Sequence, residues 1–191
     1  MNTLINIIDV ECTCWINEPT PMGMVQEIIE IGIAQVDLKT MKIVKSEGIL
    51  VKPTMSTVSW SCTHLTSITV DMLENAPTFH SAVEYMIKEY GSKWNFRGSY
   101  GNFDRDMFEK QCKLLDIEYP LCNQHVNVKA LIRSVFPSVK GLGSALNMIG
   151  MKFDGRPHRG VDDAINTTNL YIKMVATMQK GLLFNESEIR I

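Results

Sequence analysis

Apolar and polar positions divide the chain into strand-like and helix-like segments. Residues 4–10, LINIIDV, form a β-branched apolar run ending in acid, the pattern of a buried central strand. Residues 27–36 (EIIEIGIAQV) and 42–51 (KIVKSEGILV) read as the next two strands. The LKTMK segment between them suits a tight turn, so the two are expected to pair antiparallel. From 52 to 77 no period survives. Pro53, Pro77 and scattered Ser and Thr predict loops and short helical turns there.

Thr78 can cap a helix running to about Tyr90, with an apolar stripe of Phe79, Val83, Tyr85, Met86 and Tyr90. Residues 94–100 give a fourth strand weakened by Arg97 and Gly98. A helix over 104–115 follows, with Met107, Phe108, Cys112, Leu114 and Leu115 as its apolar positions. Residues 125–128 read as a short fifth strand, followed by helices over 129–136 and 142–149, the second closed by Gly150. A last helix covers about 161–179 and stops at Gly181; the tail LLFNESEIRI has no helical period. Three consecutive strands, then strands alternating with helices, predict an α/β layer architecture.

The 191 residues suit one domain with a sizeable core, and 45% apolar and 21% charged content is ordinary for a soluble globular protein. No apolar run reaches the length of a transmembrane helix, so no membrane partner is expected. The apolar start is broken by Asp9 and lacks a basic leader, so a signal peptide is not expected. Five cysteines without a regular framework read as reduced thiols in a cytoplasmic protein. Cys12 and Cys14 have no second pair at zinc-like spacing. A net charge of −2 excludes a protein coated in positive charge and weakens the case for extensive duplex binding. It leaves open a site where bound cations meet a few phosphates.

Asp9 and Glu11 lie two apart at a strand end, so both side chains share one face. Carboxylates held that close repel unless a cation sits between them. By itself the pair also fits a solvated strand end. Asp104 opens a helix, and Asp163 lies in the first turns of the last one; helix ends favour acids at both places whatever their function. His158, in GRPHRGVDDA, belongs to a loop made by Gly155, Pro157 and Gly160, where solvent can reach it. His64, His80 and His125 have no such setting and read as structural or surface residues.

Taken together, Asp9-Val10-Glu11, Asp104, and His158 through Asp163 resemble the DnaQ-like 3′→5′ exonucleases of the DEDDh type. The nearest resemblance is to their Eri-type branch, which includes the histone-mRNA 3′-end exonuclease. It is carried by IIDVECTC, QEIIEIG, CTHLTSIT, GNFDRDMFEKQC and GMKFDGRPHRGVDDAIN, which reach from about residue 5 to 175. Ser67 departs from the glycine the family often has in its Thr-Gly-Ile-Thr segment. No added nucleic-acid-binding domain is expected, so the targeting of larger relatives is not carried over.

The resemblance implies a ribonuclease-H-like mixed five-stranded sheet of order 3-2-1-4-5, with strand 2 antiparallel and helices on both faces. The exonuclease domain would span residues 1–180, with 181–191 as a tail. It implies two divalent cations, Mg²⁺ or Mn²⁺, for which hard carboxylate oxygens are suited. Asp9 would bridge both, Glu11 and Asp163 would complete one site, and Asp104 would hold the other. His158 would take the proton of the attacking water, a general-base role that histidine often fills. Phe103 would stack on a base, or pack in the core; Thr13 and Leu65 would line the terminal-nucleotide pocket. The expected partner is a single-stranded 3′ end of RNA or DNA, cut to nucleoside 5′-monophosphates, with Arg97, Lys140, Arg156 and Arg159 as candidate cations along the strand. Two other readings stand beside this one: a silent nucleic-acid-binding module, and an endonuclease or small-nucleotide hydrolase on the same scaffold. The sequence does not set the oligomeric state.

Overall fold

In the computed structural model the described residues are 3–179 and Gly181; the tail at 182–191 lies outside them. Five strands form one sheet in the order β3-β2-β1-β4-β5. They are β1 (Leu4–Cys12), β2 (Ile28–Asp37), β3 (Lys42–Leu50), β4 (Phe96–Ser99) and β5 (His125–Asn127). β2 runs antiparallel to both β1 and β3, whereas β4 and β5 run parallel to β1. The helices are α1 (Trp60–Thr66), α2 (Val70–Glu74), α3 (Phe79–Tyr90), α4 (Phe103–Leu115), α5 (Val128–Val135), α6 (Leu142–Met148) and α7 (Gly160–Gln179). The mixed sheet and its order are those implied above.

Alternation along β1 divides the core. Ile8, Val10 and Cys12 face α3 and α4, packing with Ile31, Ile33, Val83, Met86 and Phe108. Ile5 and Ile7 face the other side, where Val36, Tyr171 and Ile172 meet them. Asp9 and Glu11 continue this second face into the region covered by the start of α7. The sheet therefore turns its two acids toward a helix rather than toward bulk water.

Several expectations shift in detail. The fourth strand is only four residues long. The irregular stretch holds two real helices, α1 and α2, capped by the hydroxyls of Ser59 and Thr69. Tyr85 leaves the apolar stripe of α3: it is partly exposed, and its hydroxyl donates to Glu47 at 2.9 Å. Leu114 of α4 also turns outward, and Gln111 is buried instead. Gln111 Oε1 accepts from the backbone N–H of Ile28 at 2.7 Å, so a polar side chain joins α4 to the start of β2. Thr78 caps α3 through the N–H of Ser81, and Gly150 follows α6 at φ +73°, both as the sequence indicates.

Candidate active site

The cleft at the end of β1 is lined by Asp9, Val10, Glu11, Tyr100, Phe103, Asp104, Leu142, His158 and Asp163, with a volume of about 250 Å³. All five residues selected from the sequence meet there. Asp9, Glu11 and Asp163 can each present a carboxylate oxygen within 4.8 Å of the others. His158 borders the same cleft but is not one of these three candidate donors.

Each acid is delivered by a separate device. Asp9 and Glu11 come from β1 by alternation, just before the ladder to β2 slips at Glu11/Cys12. Asp104 lies one residue inside α4, so it is not the helix cap. Its Oδ1 accepts from the backbone N–H of Val10 at 2.9 Å. That amide lies beyond Ile7, where the paired register of β4 ends. Asp104 thus satisfies a buried strand amide that has no strand neighbour on that side.

Asp163 reaches the cleft because α7 lies unusually close to the sheet. Gly32 stands opposite Asp9 on β2, and Gly48 stands opposite Gly32 on β3. A Cβ on Gly32 would lie 1.8 Å from the carbonyl carbon of Gly160. The row of missing side chains is what admits the first turn of the helix. Glu30, fully buried, accepts from the Gly160 N–H at 2.9 Å and from both Nε and Nη2 of Arg159 at 3.1 and 3.0 Å.

His158 is exposed and adopts φ +64°, a conformation rarely taken outside glycine. Its backbone N–H donates to Asp163 Oδ2 at 2.7 Å. Beside it, Asp162 accepts from the Arg156 N–H, and Asn166 exchanges bonds with both N–H and C=O of Asp154. The loop is held from several sides, which allows a non-glycine residue to persist there.

The acids crowd one another. Burial pushes the Asp9 carboxyl well above the usual carboxylate range, and the negative charges of Asp104, Asp163, Glu11 and Glu30 push it further. Burial, with Asp163 and Glu30 next, raises Glu11 to about 8, against a smaller opposing pull from Arg159. Asp104 and Asp163 are each raised to about 6, again chiefly by burial, despite the amides that bond them. A cluster of carboxylates that resists losing its protons calls for cationic charge, and oxygen-only donors suit a hard divalent ion.

The substrate candidates separate. Phe103 is half exposed on the cleft wall, which answers the core alternative. Thr13 is fully buried; its hydroxyl accepts from the Glu27 N–H and donates to Val25 O, so it secures the strand connection. Thr13 and Leu65 lie outside the residues lining the acidic cleft. Two of the four candidate cations are already engaged: Arg97 is buried with Nε donating to Cys122 O, and Arg159 is paired to Glu30. Glu30, Tyr100 and Leu142 were not selected from the sequence. Glu30 could have been, since a charge within an apolar strand requires a partner; Tyr100 and Leu142 carry no such signal.

The sequence profile of the exonuclease family (RNase_T) matches residues 7–171. This chain belongs to that family. Among similar exonucleases, the 3′-5′ exoribonuclease 1 of Homo sapiens is 32% identical over 183 residues, covering 90% of this chain and 52% of the human protein. The chain thus spans about half the length of that relative. The 3′-5′ exonuclease Snipper of Drosophila melanogaster is 30% identical, covering 93% of this chain and 70% of Snipper. The crystallographic nuclease domain of 3′hExo, a DEDDh family member bound to rAMP, superposes with a TM-score of 0.79 at 30% identity, covering 95% of this chain and 94% of that domain. The DEDDh exonuclease assignment and its ribonuclease-H-like sheet are therefore established for this chain; the family uses divalent metals, and the chain has an acidic cluster at Asp9, Glu11 and Asp163. Among the described residues, no helix is long and apolar enough to cross a membrane.

Proposed function

We propose that this chain is a metal-dependent 3′→5′ exonuclease that removes nucleoside 5′-monophosphates from single-stranded RNA ends. The observation that carries the reading is the convergence of Asp9, Glu11 and Asp163 within 4.8 Å, on a cleft that His158 also borders. The exoribonuclease relative and the rAMP-bound nuclease domain favour RNA over DNA. The catalytic unit is residues 1–180, and five free thiols suit a cytoplasmic setting.

The donor set fits two Mg²⁺ or Mn²⁺ ions: three carboxylates in mutual reach and a fourth, Asp104, on the same cleft. As the family resemblance implies, Asp9 would serve both ions; Glu11 and Asp163 would serve one and Asp104 the other. When bound, the cations would supply the positive charge that offsets the charge building on the phosphoryl oxygens. His158 would take the proton from the attacking water. It is exposed and borders the cleft, and an imidazole beside hard carboxylate donors suits a base rather than a ligand for Mg²⁺ or Mn²⁺. Phe103 would present its half-exposed ring to a base near the terminus.

The test is a time course on 5′-labelled RNA and DNA oligomers of one sequence with Mg²⁺, Mn²⁺ or EDTA. The expected result is a metal-dependent ladder of single-nucleotide steps, faster on RNA. One internal cut, or turnover in EDTA, would overturn the reading.

A further inference from the structure

Glu30 is a fifth carboxylate near the cleft, placed there by the strand register. It stands directly opposite Glu11 across the β1–β2 ladder, so both side chains rise on one face. Yet Glu30 is not one of the three candidate metal donors. It is fully buried, with both oxygens already committed: Oε2 to Arg159 Nε and the Gly160 N–H, Oε1 to Arg159 Nη2. Gly48 on β3 makes room for this, since a Cβ there would approach Oε1 to 2.6 Å.

The other hydrogen bonds of the 154–160 loop stay local. Asp154 bonds Asn166, the Arg156 N–H bonds Asp162, and the His158 N–H bonds Asp163. Among the described residues, only the bonds to Glu30 join this loop to the sheet. They grip it at the two residues that follow His158, which itself sits at φ +64°. A forked guanidinium–carboxylate pair fixes direction as well as distance. A buried acid facing another acid is costly unless it secures something.

We propose that Glu30 and Arg159 are positioning residues: their fork, together with the Gly160 amide, sets the direction from which His158 addresses the cleft. Arg159 is then a strut rather than a substrate contact. The inference rests on the exonuclease reading above for its kinetic consequence, but the orientation it assigns to His158 exists without turnover.

The test uses Arg159→Lys, which keeps the charge and loses the fork, with Glu30→Gln as a second variant. In single-turnover and steady-state assays at saturating Mn²⁺, Arg159→Lys should lower kcat about 10- to 100-fold, the usual effect of losing an orienting partner. KM for a short RNA, and the Mn²⁺ Kd measured by calorimetry on the substrate-free protein, should change less than about twofold. Glu30→Gln should act in the same direction. The His158 ring resonances in ¹H–¹³C spectra should move in both variants, a readout that needs no activity. Three results would overturn the proposal: unchanged kcat and ring resonances with only a lower Tm; a raised KM at unchanged kcat, which would make Arg159 a substrate contact; or a weakened Mn²⁺ Kd as the sole change. If the unmodified protein showed no exonuclease activity while the resonances moved as expected, the functional reading would fail and the positioning would stand.

Discussion

Asp9 and Gly32 face each other across the β1–β2 ladder, and the side chain that Gly32 lacks is what lets α7 bring Asp163 to Asp9. Backbone stands in the way of any larger residue, not the end of a flexible side chain. Gly32→Ala must therefore displace α7 or the strand. It should cost about 1–3 kcal/mol, the usual range for overpacking, and should weaken Mn²⁺ binding as Asp163 moves away. Chemical denaturation and calorimetric titration would check both; an unchanged Mn²⁺ affinity would mean that Asp163 does not depend on this close approach.

This relationship also shows where the sequence was readable. The Asp9–Glu11 pair was legible because strand alternation is local, and Asp104 and His158–Asp163 because their order along the chain matched a family pattern. The strand order came from the resemblance; periodicity alone reached only α/β. The depth of α7 against the sheet was not legible, because it depends on Gly32 and Gly48 lying on neighbouring strands in matching register. The outward turn of Leu114 and the burial of Gln111 escaped for a similar reason: the amide of Ile28, far away in sequence, recruits the polar side chain. The engagement of Arg97 is not legible either, because its partner, the Cys122 carbonyl, comes from a loop 25 residues away.

The crowded acids predict an unusual pH dependence for the metal-free protein. Glu11 is raised to about 8, and Asp104 and Asp163 to about 6, while unfolded carboxylates titrate near 4. Between those values the folded state binds more protons than the unfolded one, so stability falls as pH rises. In EDTA, Tm should decline from about pH 5 to pH 8, apart from contributions elsewhere in the protein. Mg²⁺ or Mn²⁺ should reverse the decline, with a larger gain at pH 8 than at pH 5. Asp9→Asn should flatten the EDTA profile and reduce the metal gain, because it removes one of the repelling charges. A Tm in EDTA that rises across this window, in the wild type and Asp9→Asn alike, would contradict the assigned shifts.

Ser67 closes α1 at φ +61°, with its N–H bonded to Thr63 O. It occupies the position where the resembling family often has glycine. A Cβ in that conformation carries a penalty of about 1 kcal/mol that glycine avoids. Ser67→Gly should raise stability by up to about 1 kcal/mol, or roughly 2–4 °C in Tm for a domain this size. A drop in Tm would show that the Ser67 hydroxyl, which donates to Thr66 O, outweighs the backbone penalty.

His158→Ala should lower turnover by about 10²–10⁴-fold, the span associated with losing a general base. Because the hard cations are assigned to the carboxylates and His158 to the proton, Mn²⁺ affinity should stay within about twofold of the wild type. Loss of its ring leaves the backbone bond to Asp163 available, so the fold should persist. Weak metal binding with normal turnover at saturating metal would assign His158 as a ligand instead.

Substrate form follows from how little positive charge the protein offers a strand. Net charge is −2, and Arg97 and Arg159 are engaged within the fold, leaving Lys140 and Arg156 exposed among the four cations first considered. A paired terminal nucleotide must be unpaired and unstacked before its phosphodiester can reach Asp9, Glu11 and Asp163, at a cost of a few kcal/mol. With Arg97 and Arg159 engaged, those two cations do not offset that cost through phosphate contacts. Stacking on Phe103, worth about 1–3 kcal/mol per base, helps only a base that is already free. Single-stranded 3′ ends and short 3′ overhangs should therefore be degraded at least tenfold faster than blunt duplexes, with a shallow dependence of KM on salt. Phe103→Ala should raise KM for single strands about tenfold and narrow the difference between the two forms. The measurement is a time course on 5′-labelled single-stranded and blunt oligomers at two salt concentrations. Equal rates on both forms, or a steep salt dependence, would reveal a phosphate-binding surface that the cleft residues do not provide.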